Sequence, residues 1–120
     1  MQQINKALCH CQDCKKISGS AYSINFLVPQ HAFKVTSGSP KIYTKTADSG
    51  ENITSFICGD CGTMMWQETP TYGGVKLVKA GTLDDATAII GAEAPEEEIF
   101  TRSRVKWVPA IVNADQLAAS

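Results

Sequence analysis

The sequence predicts an all-β protein of short strands, arranged as a sandwich or barrel-like pair of sheets. Short stretches rich in β-branched and aromatic residues recur along the chain, each closed by Gly, Pro, Asn, Asp or Ser. The one helical candidate near a site is a single turn, Lys15 to Ser18. The cysteines are sorted into two knots, Cys9 to Cys14 and Cys58 to Cys61, which reads as a clamp on a small β domain.

The elements follow in order. Ala21 to Val28 alternates Tyr22, Ile24, Phe26 and Val28 with Ser23 and Asn25, and Pro29 ends it because proline cannot continue a central ladder. Phe33 to Thr36 reads as a second short strand, closed by Ser37-Gly38-Ser39-Pro40. Lys41 to Thr46 is a third, closed by the turn Asp48 to Asn52. Ile53 to Ile57 leads into the second cysteine knot, and Thr63 to Gln67 reads as the return strand of a hairpin with that knot at its tip. Pro70 and Gly73-Gly74 break the chain before Val75 to Ala80, another strand, and Gly81 to Asp85 forms a turn. Ile99 to Val108 carries Ile99, Phe100, Val105, Trp107 and Val108 with basic residues between them. The tail from Ala110 to Ser120 is expected to form a short helix or to fray.

Bulk properties bound the function. At 120 residues the chain is expected to be one domain, residues 1–120. Hydrophobic content of 43% and charged content of 19% are those of an ordinary soluble globular protein. A net charge of −1 gives no basic footprint for nucleic acid. No apolar run approaches the roughly 18 residues of a membrane span. The start Met-Gln-Gln-Ile-Asn-Lys has neither the basic nor the apolar region of a secretory leader, so a reducing, cytoplasmic setting is expected. Glu96-Glu97-Glu98 reads as a solvated rim.

The cysteines carry the chemistry. Cys9-His10-Cys11-Gln12-Asp13-Cys14 and Cys58-Gly59-Asp60-Cys61-Gly62 each contain a C-x-x-C turn, which puts two thiolates on one side of the backbone for Zn²⁺. Disulfides fit poorly, because five is an odd number and the setting is reducing. A thioredoxin-like dithiol would open a helix in a βαβ unit, and neither knot has that context. His10 lies between two ligand cysteines and is expected to point away from their metal. His31 reads as a loop histidine, Trp66 and Trp107 as core aromatics, and Met64 and Met65 as core filling. Ser18 and Ser20 are explained by turn chemistry around Gly19.

The succession of motifs resembles a known family. Cys9-His10-Cys11-Gln12-Asp13-Cys14-Lys15-Lys16 runs into Ser18-Gly19-Ser20 and is followed by Phe56 to Thr63 and Ala80-Gly81-Thr82-Leu83-Asp84-Asp85. Ile99-Phe100 through Arg104-Val105-Lys106-Trp107 completes the series. Over roughly Leu8 to Val108 this is similar to the glutathione-dependent formaldehyde-activating enzymes. The resemblance implies an all-β fold of antiparallel sheets of short strands in a zinc-clamped β-tent. It also implies carbon–sulfur lyase chemistry on a glutathione–formaldehyde adduct, S-hydroxymethylglutathione. It assigns a catalytic zinc to Cys9, Cys11 and Cys14. It assigns Cys58 and Cys61 to a structural zinc shared with a second C-x-C nearer the N-terminus, and the present sequence contains no such pair.

Several divisions of the sulfurs stay open. One, which plain coordination chemistry favours because an unmatched pair would bind zinc weakly, is a closed four-sulfur zinc from Cys11, Cys14, Cys58 and Cys61, leaving Cys9 free; a closed site would be structural. Another keeps Cys9, Cys11 and Cys14 on one metal with a water and leaves Cys58 and Cys61 half-coordinated. A third is a chain shortened relative to its gene product. The function classes divide accordingly: a zinc-dependent carbon–sulfur lyase, a non-catalytic zinc-stabilised β domain, or a thiol redox switch at Cys9. Glutathione carries two carboxylates, for which Lys15, Lys16, Arg102 and Arg104 are the candidate partners. Loss of N-terminal strands would expose a sheet edge, so a homodimer is expected.

Overall fold

The computed structural model describes residues 5–47, 49–85 and 94–119. Met1 to Ile4 of the leader reading, Asp48 of the expected turn and Ser120 of the tail lie outside them. The elements are β1 (Lys6–Cys9), α1 (Gln12–Ser18), β2 (Ser23–Pro29), β3 (Lys41–Thr46), β4 (Asn52–Ile57), β5 (Met64–Glu68), β6 (Val75–Lys79), β7 (Glu97–Ile99) and β8 (Asp115–Gln116). They make one eight-stranded sheet in the order β3-β4-β5-β6-β2-β1-β7-β8. Pairing is antiparallel from β3 across to β1. β7 then joins β1, and β8 joins β7, in parallel.

The mostly-β expectation holds, with two corrections: the strands form one sheet rather than a sandwich or barrel-like pair, and that sheet is mixed rather than purely antiparallel. Short hairpins enforce antiparallel pairing, whereas a parallel neighbour needs a long connection, and turn residues alone do not say which way a distant strand will run. β3 matches its expected bounds, β4 and β6 differ by one residue at one end, and β5 is shifted by one residue at both ends. Phe33 to Thr36 is not a strand; a 3₁₀ turn over Gln30–Ala32 precedes it, and Phe33 instead lays its ring against Trp66. Ile99 to Val108 is not one strand either, because β7 ends at Ile99 and Phe100 turns left-handed. The tail contributes β8 rather than a helix.

The two faces of the sheet do different work. Paired residues share a face, so Ala7, Cys9, Asn25, Leu27, Leu77 and Gln67 lie on one side. Leu8, Phe26, Val78, Trp66 and Phe56 lie on the other. On that second face Trp66 stacks on Phe56, with centroids 4.5 Å apart and planes 5° from parallel, and Phe33 meets it at a tilt of 57° and 4.8 Å. Such pairs add about 0.5–1.5 kcal/mol each beyond the area they bury. Trp66 is therefore a core residue as expected, whereas Trp107 is 76% exposed. Met64 and Met65 are half-buried at the irregular Phe56/Ile57 step of the β4–β5 pairing.

Candidate metal centre

Three cysteines converge on the first face. Cys9 is the last residue of β1 and pairs with Ser23 of β2. Strand alternation turns its neighbour His10 to the opposite face. Cys11 has extended backbone and caps α1, its Sγ accepting from the Cys14 N–H at 3.2 Å. Cys14 follows in the first turn, and Gly19 ends the helix at φ 68°, where its N–H closes on the Lys15 carbonyl. The sulfurs of Cys9, Cys11 and Cys14 all lie within 4.8 Å of one another. Sulfurs bound tetrahedrally at about 2.3 Å stand about 3.8 Å apart, so a small closure of the group accepts one metal ion. The cluster can hold a metal through three ligands.

Its electrostatics favour one thiolate shared among three sulfurs. Hydrogen bonds from the thiols of Cys11 and Cys9 lower Cys14 to a pKa of about 3, against burial, with help from the Lys79 charge and Ser23. Cys9 moves far up because its proton is held by Cys11 and Cys14 and because it is buried. Cys11 is also raised, first through its hydrogen bond to Cys14.

The cluster forms part of the wall of a cavity of about 320 Å³, near the lower end of the range for small-molecule sites. Leu27, Ile53, Leu77, Ile99 and Phe100 give it apolar sides, while Asn25 and Gln67 are polar residues of its lining. Tyr72 also lines it, its phenol kept protonated chiefly by burial. Phe100 stands at φ 55°, a conformation unusual for an aromatic residue, and sends the chain into the 3₁₀ turn that brings Arg102 and Ser103 to the cavity.

Beneath the cavity runs a buried polar chain that sequence reading missed. The Lys79 ammonium donates to Asn25 Oδ1 at 2.6 Å and to Gln67 Oε1 at 2.7 Å. Asn25 Nδ2 donates to Ser23 Oγ at 3.1 Å, and Gln67 Nε2 to Ser55 Oγ at 3.0 Å. All five residues are at most 9% exposed. Burial pushes the Lys79 pKa down, and the thiols of Cys14, Cys9 and Cys11 pull it partly back.

Of the basic residues expected around a glutathione site, only Arg102 lines the cavity. Lys15 donates to the Ser103 carbonyl, tying α1 to that rim, and Lys16 is exposed. Arg104 lies elsewhere, in a buried cluster on the reverse of the sheet. There Glu98, fully buried, meets His10 Nε2 at 2.8 Å and Arg104 at 3.2 Å, and accepts from the Ile111 N–H at 2.8 Å and Gln116 at 2.6 Å. Burial alone would raise its pKa; those donors and the Arg104 charge outweigh it and hold Glu98 at about 2. The expected solvated rim at Glu96 to Glu98 is thus corrected at Glu98. His10 sits away from the sulfurs, as expected, and is buried against Glu98.

Ser18 and Ser20 serve the turn after α1: the Ser18 hydroxyl donates to the Cys14 carbonyl and accepts from the Ser20 N–H. His31 is exposed in its 3₁₀ turn.

Cys58 and Cys61 occupy the tip of the β4–β5 hairpin. The Cys58 N–H bonds the Thr63 carbonyl, the Gly62 N–H bonds Cys58 O, and Gly62 supplies the required φ of 79°. Cys61 is exposed and its thiol lies 3.0 Å from Thr63 Oγ1. Among the described residues, the group of three or more metal-ligating side chains is Cys9, Cys11 and Cys14, without Cys58 or Cys61. The structure therefore does not contain a closed centre of Cys11, Cys14, Cys58 and Cys61.

No helix among the described residues is long and apolar enough to cross a membrane. No curated protein matched the chain. Residues 1–103 match the sequence model of a family described as glutathione-dependent formaldehyde-activating enzyme. A match over that much of the chain, carrying both cysteine knots, makes this protein a member of the glutathione-dependent formaldehyde-activating enzyme family.

Proposed function

We propose that the protein is a zinc-dependent carbon–sulfur lyase acting on a glutathione–formaldehyde adduct of the S-hydroxymethylglutathione type. The observation that carries this reading is a three-sulfur cluster in the wall of a ligand-sized cavity. Cys9, Cys11 and Cys14 would hold the ion in the wall of the cavity. When bound, zinc supplies a positive centre that lowers the pKa of an incoming thiol and polarises a carbonyl. In the condensing direction the glutathione sulfur attacks the formaldehyde carbon. The C–S bond forms, the carbonyl π pair moves to oxygen, and the oxygen takes up a proton. Lysis reverses each movement, and no redox partner is involved. Arg102 is the cation placed to meet a glutathione carboxylate.

NMR exchange spectroscopy on formaldehyde and glutathione tests this directly. Zinc-loaded protein is expected to speed adduct formation above the spontaneous rate. A rate equal to background, with no heat on titration of glutathione, would sink the proposal in favour of a non-catalytic zinc-stabilised domain. Redox use of Cys9 has less support, since that thiol is 5% exposed and held protonated.

We read residues 1–120 as a single zinc-binding β domain in a reducing, cytoplasmic setting, which agrees with five free cysteines. The partner proposed for the β3 edge, where Ile42 and Tyr43 are 60% and 52% exposed, is a second copy of the chain. Sedimentation showing only monomer at high concentration would exclude that dimer.

A further inference from the structure

We propose that Asn25 and Gln67 form a paired hydrogen-bond-donor floor that binds the substrate oxygen as negative charge develops on it, with Lys79 fixing both amides in the donating orientation. The inference deepens the lyase reading and rests on it.

The argument is one of valence. An ammonium has three donors and no acceptor, so whatever lies within hydrogen-bond distance of Lys79 Nζ must be an oxygen. The carbonyl oxygens of Asn25 and Gln67 are therefore turned to Lys79, and their NH₂ groups point away from it. Each NH₂ has two protons. One is used, by Ser23 Oγ for Asn25 and by Ser55 Oγ for Gln67, and the other meets no acceptor among the described residues. Both side chains line the cavity that the three cysteines line, whereas Lys79 is not part of its surface. The remaining protons are thus donors held at the cavity by bonds made beneath it.

Two further observations agree. Among the described residues no carboxylate pairs with the buried Lys79 ammonium, whose charge acts instead on the cysteine cluster that lines the same cavity. The amides are on adjacent paths across the sheet, Asn25 opposite Lys79 and Gln67 opposite Leu77, so the floor sits on strands rather than loops. Donors preorganised in this way stabilise a developing alkoxide more than a neutral carbonyl, and one such donor is worth about 100-fold or more in kcat.

Two substitutions at one position separate donation from charge and from fold. Gln67→Glu keeps an oxygen for Lys79, lets the Ser55 hydroxyl reverse and donate, and removes the N–H. Gln67→Met removes the N–H without adding charge. Both are expected to lower kcat for adduct formation and cleavage by about 100-fold, leaving zinc content and the Kd for glutathione alone within about twofold. Asn25→Asp repeats the test should Gln67→Met not fold. Equal kcat in all variants would overturn the donor floor while leaving the lyase reading intact. So would a loss in Gln67→Glu alone, or a parallel loss of thiol binding, each of which marks charge or structure rather than donation. Parent protein no faster than background would overturn the lyase reading itself.

Discussion

Replacing Glu98 by Gln should destabilise the protein at neutral pH and barely at all in strong acid. Glu98 is fully buried, and burial by itself would raise its pKa. The Ile111 and Gln116 donors, His10 and the Arg104 charge together outweigh that and take it from 4.5 to about 2 on folding. A depressed carboxylate pKa contributes stability above the unfolded value and loses it as pH falls through the folded one. The drop corresponds to about 3 kcal/mol of preference for the ionised form. The Glu98→Gln substitution would keep the shape and lose the charge. Urea denaturation of parent and variant at a series of pH values, read as the difference between them, cancels the titration of the cysteines common to both. The difference is expected to be on the order of 3 kcal/mol at pH 7 and to close between about pH 4.5 and pH 2. A gap that is small at pH 7, or that persists unchanged into acid, would refute the assignment of Glu98 as an ionised anchor behind the cysteine loop.

Other outcomes follow from the same structure. Trp66→Ala removes the ring held between Phe56 and Phe33 and should cost about 3–5 kcal/mol, seen as a lower urea midpoint; Trp107→Ala, at 76% exposure, should stay within about 0.5 kcal/mol. Metal uptake should release about two protons at neutral pH, because Cys9 and Cys11 are raised and Cys14 is already ionised. Calorimetry in buffers of differing ionisation heat counts them, and affinity should rise with pH; proton-neutral uptake would contradict the shared-thiolate picture.

How much of this was legible beforehand depended on range. Hairpin strands announced themselves, since turn residues and alternation are local, and β3 to β6 fell where expected. β1 went unseen because Lys6–Cys9 is too short to show a period, and β7 and β8 because parallel pairing is set by distant chain. Spacing marked both cysteine knots as metal-binding, but the grouping of Cys9, Cys11 and Cys14 apart from Cys58 and Cys61 came only with the family resemblance. The polar floor was not legible. Alternation says that Ser23 and Asn25 share a face but not that the face is closed over a cavity, so a buried polar row looks the same as a wet one. Glu98 misled for the same reason: a run of glutamates reads as surface until a histidine far away in sequence folds against it.

The central claim is a three-sulfur metal centre with a position open to a substrate thiol, and cobalt substitution tests it most directly. In protein carrying Cys58→Ser and Cys61→Ser, Co²⁺ should show thiolate charge-transfer absorption that Cys9→Ser, Cys11→Ser or Cys14→Ser each weakens. Glutathione should then raise that band by about one third, as three sulfurs become four. A band indifferent to Cys9, or one that glutathione leaves unchanged, would contradict it.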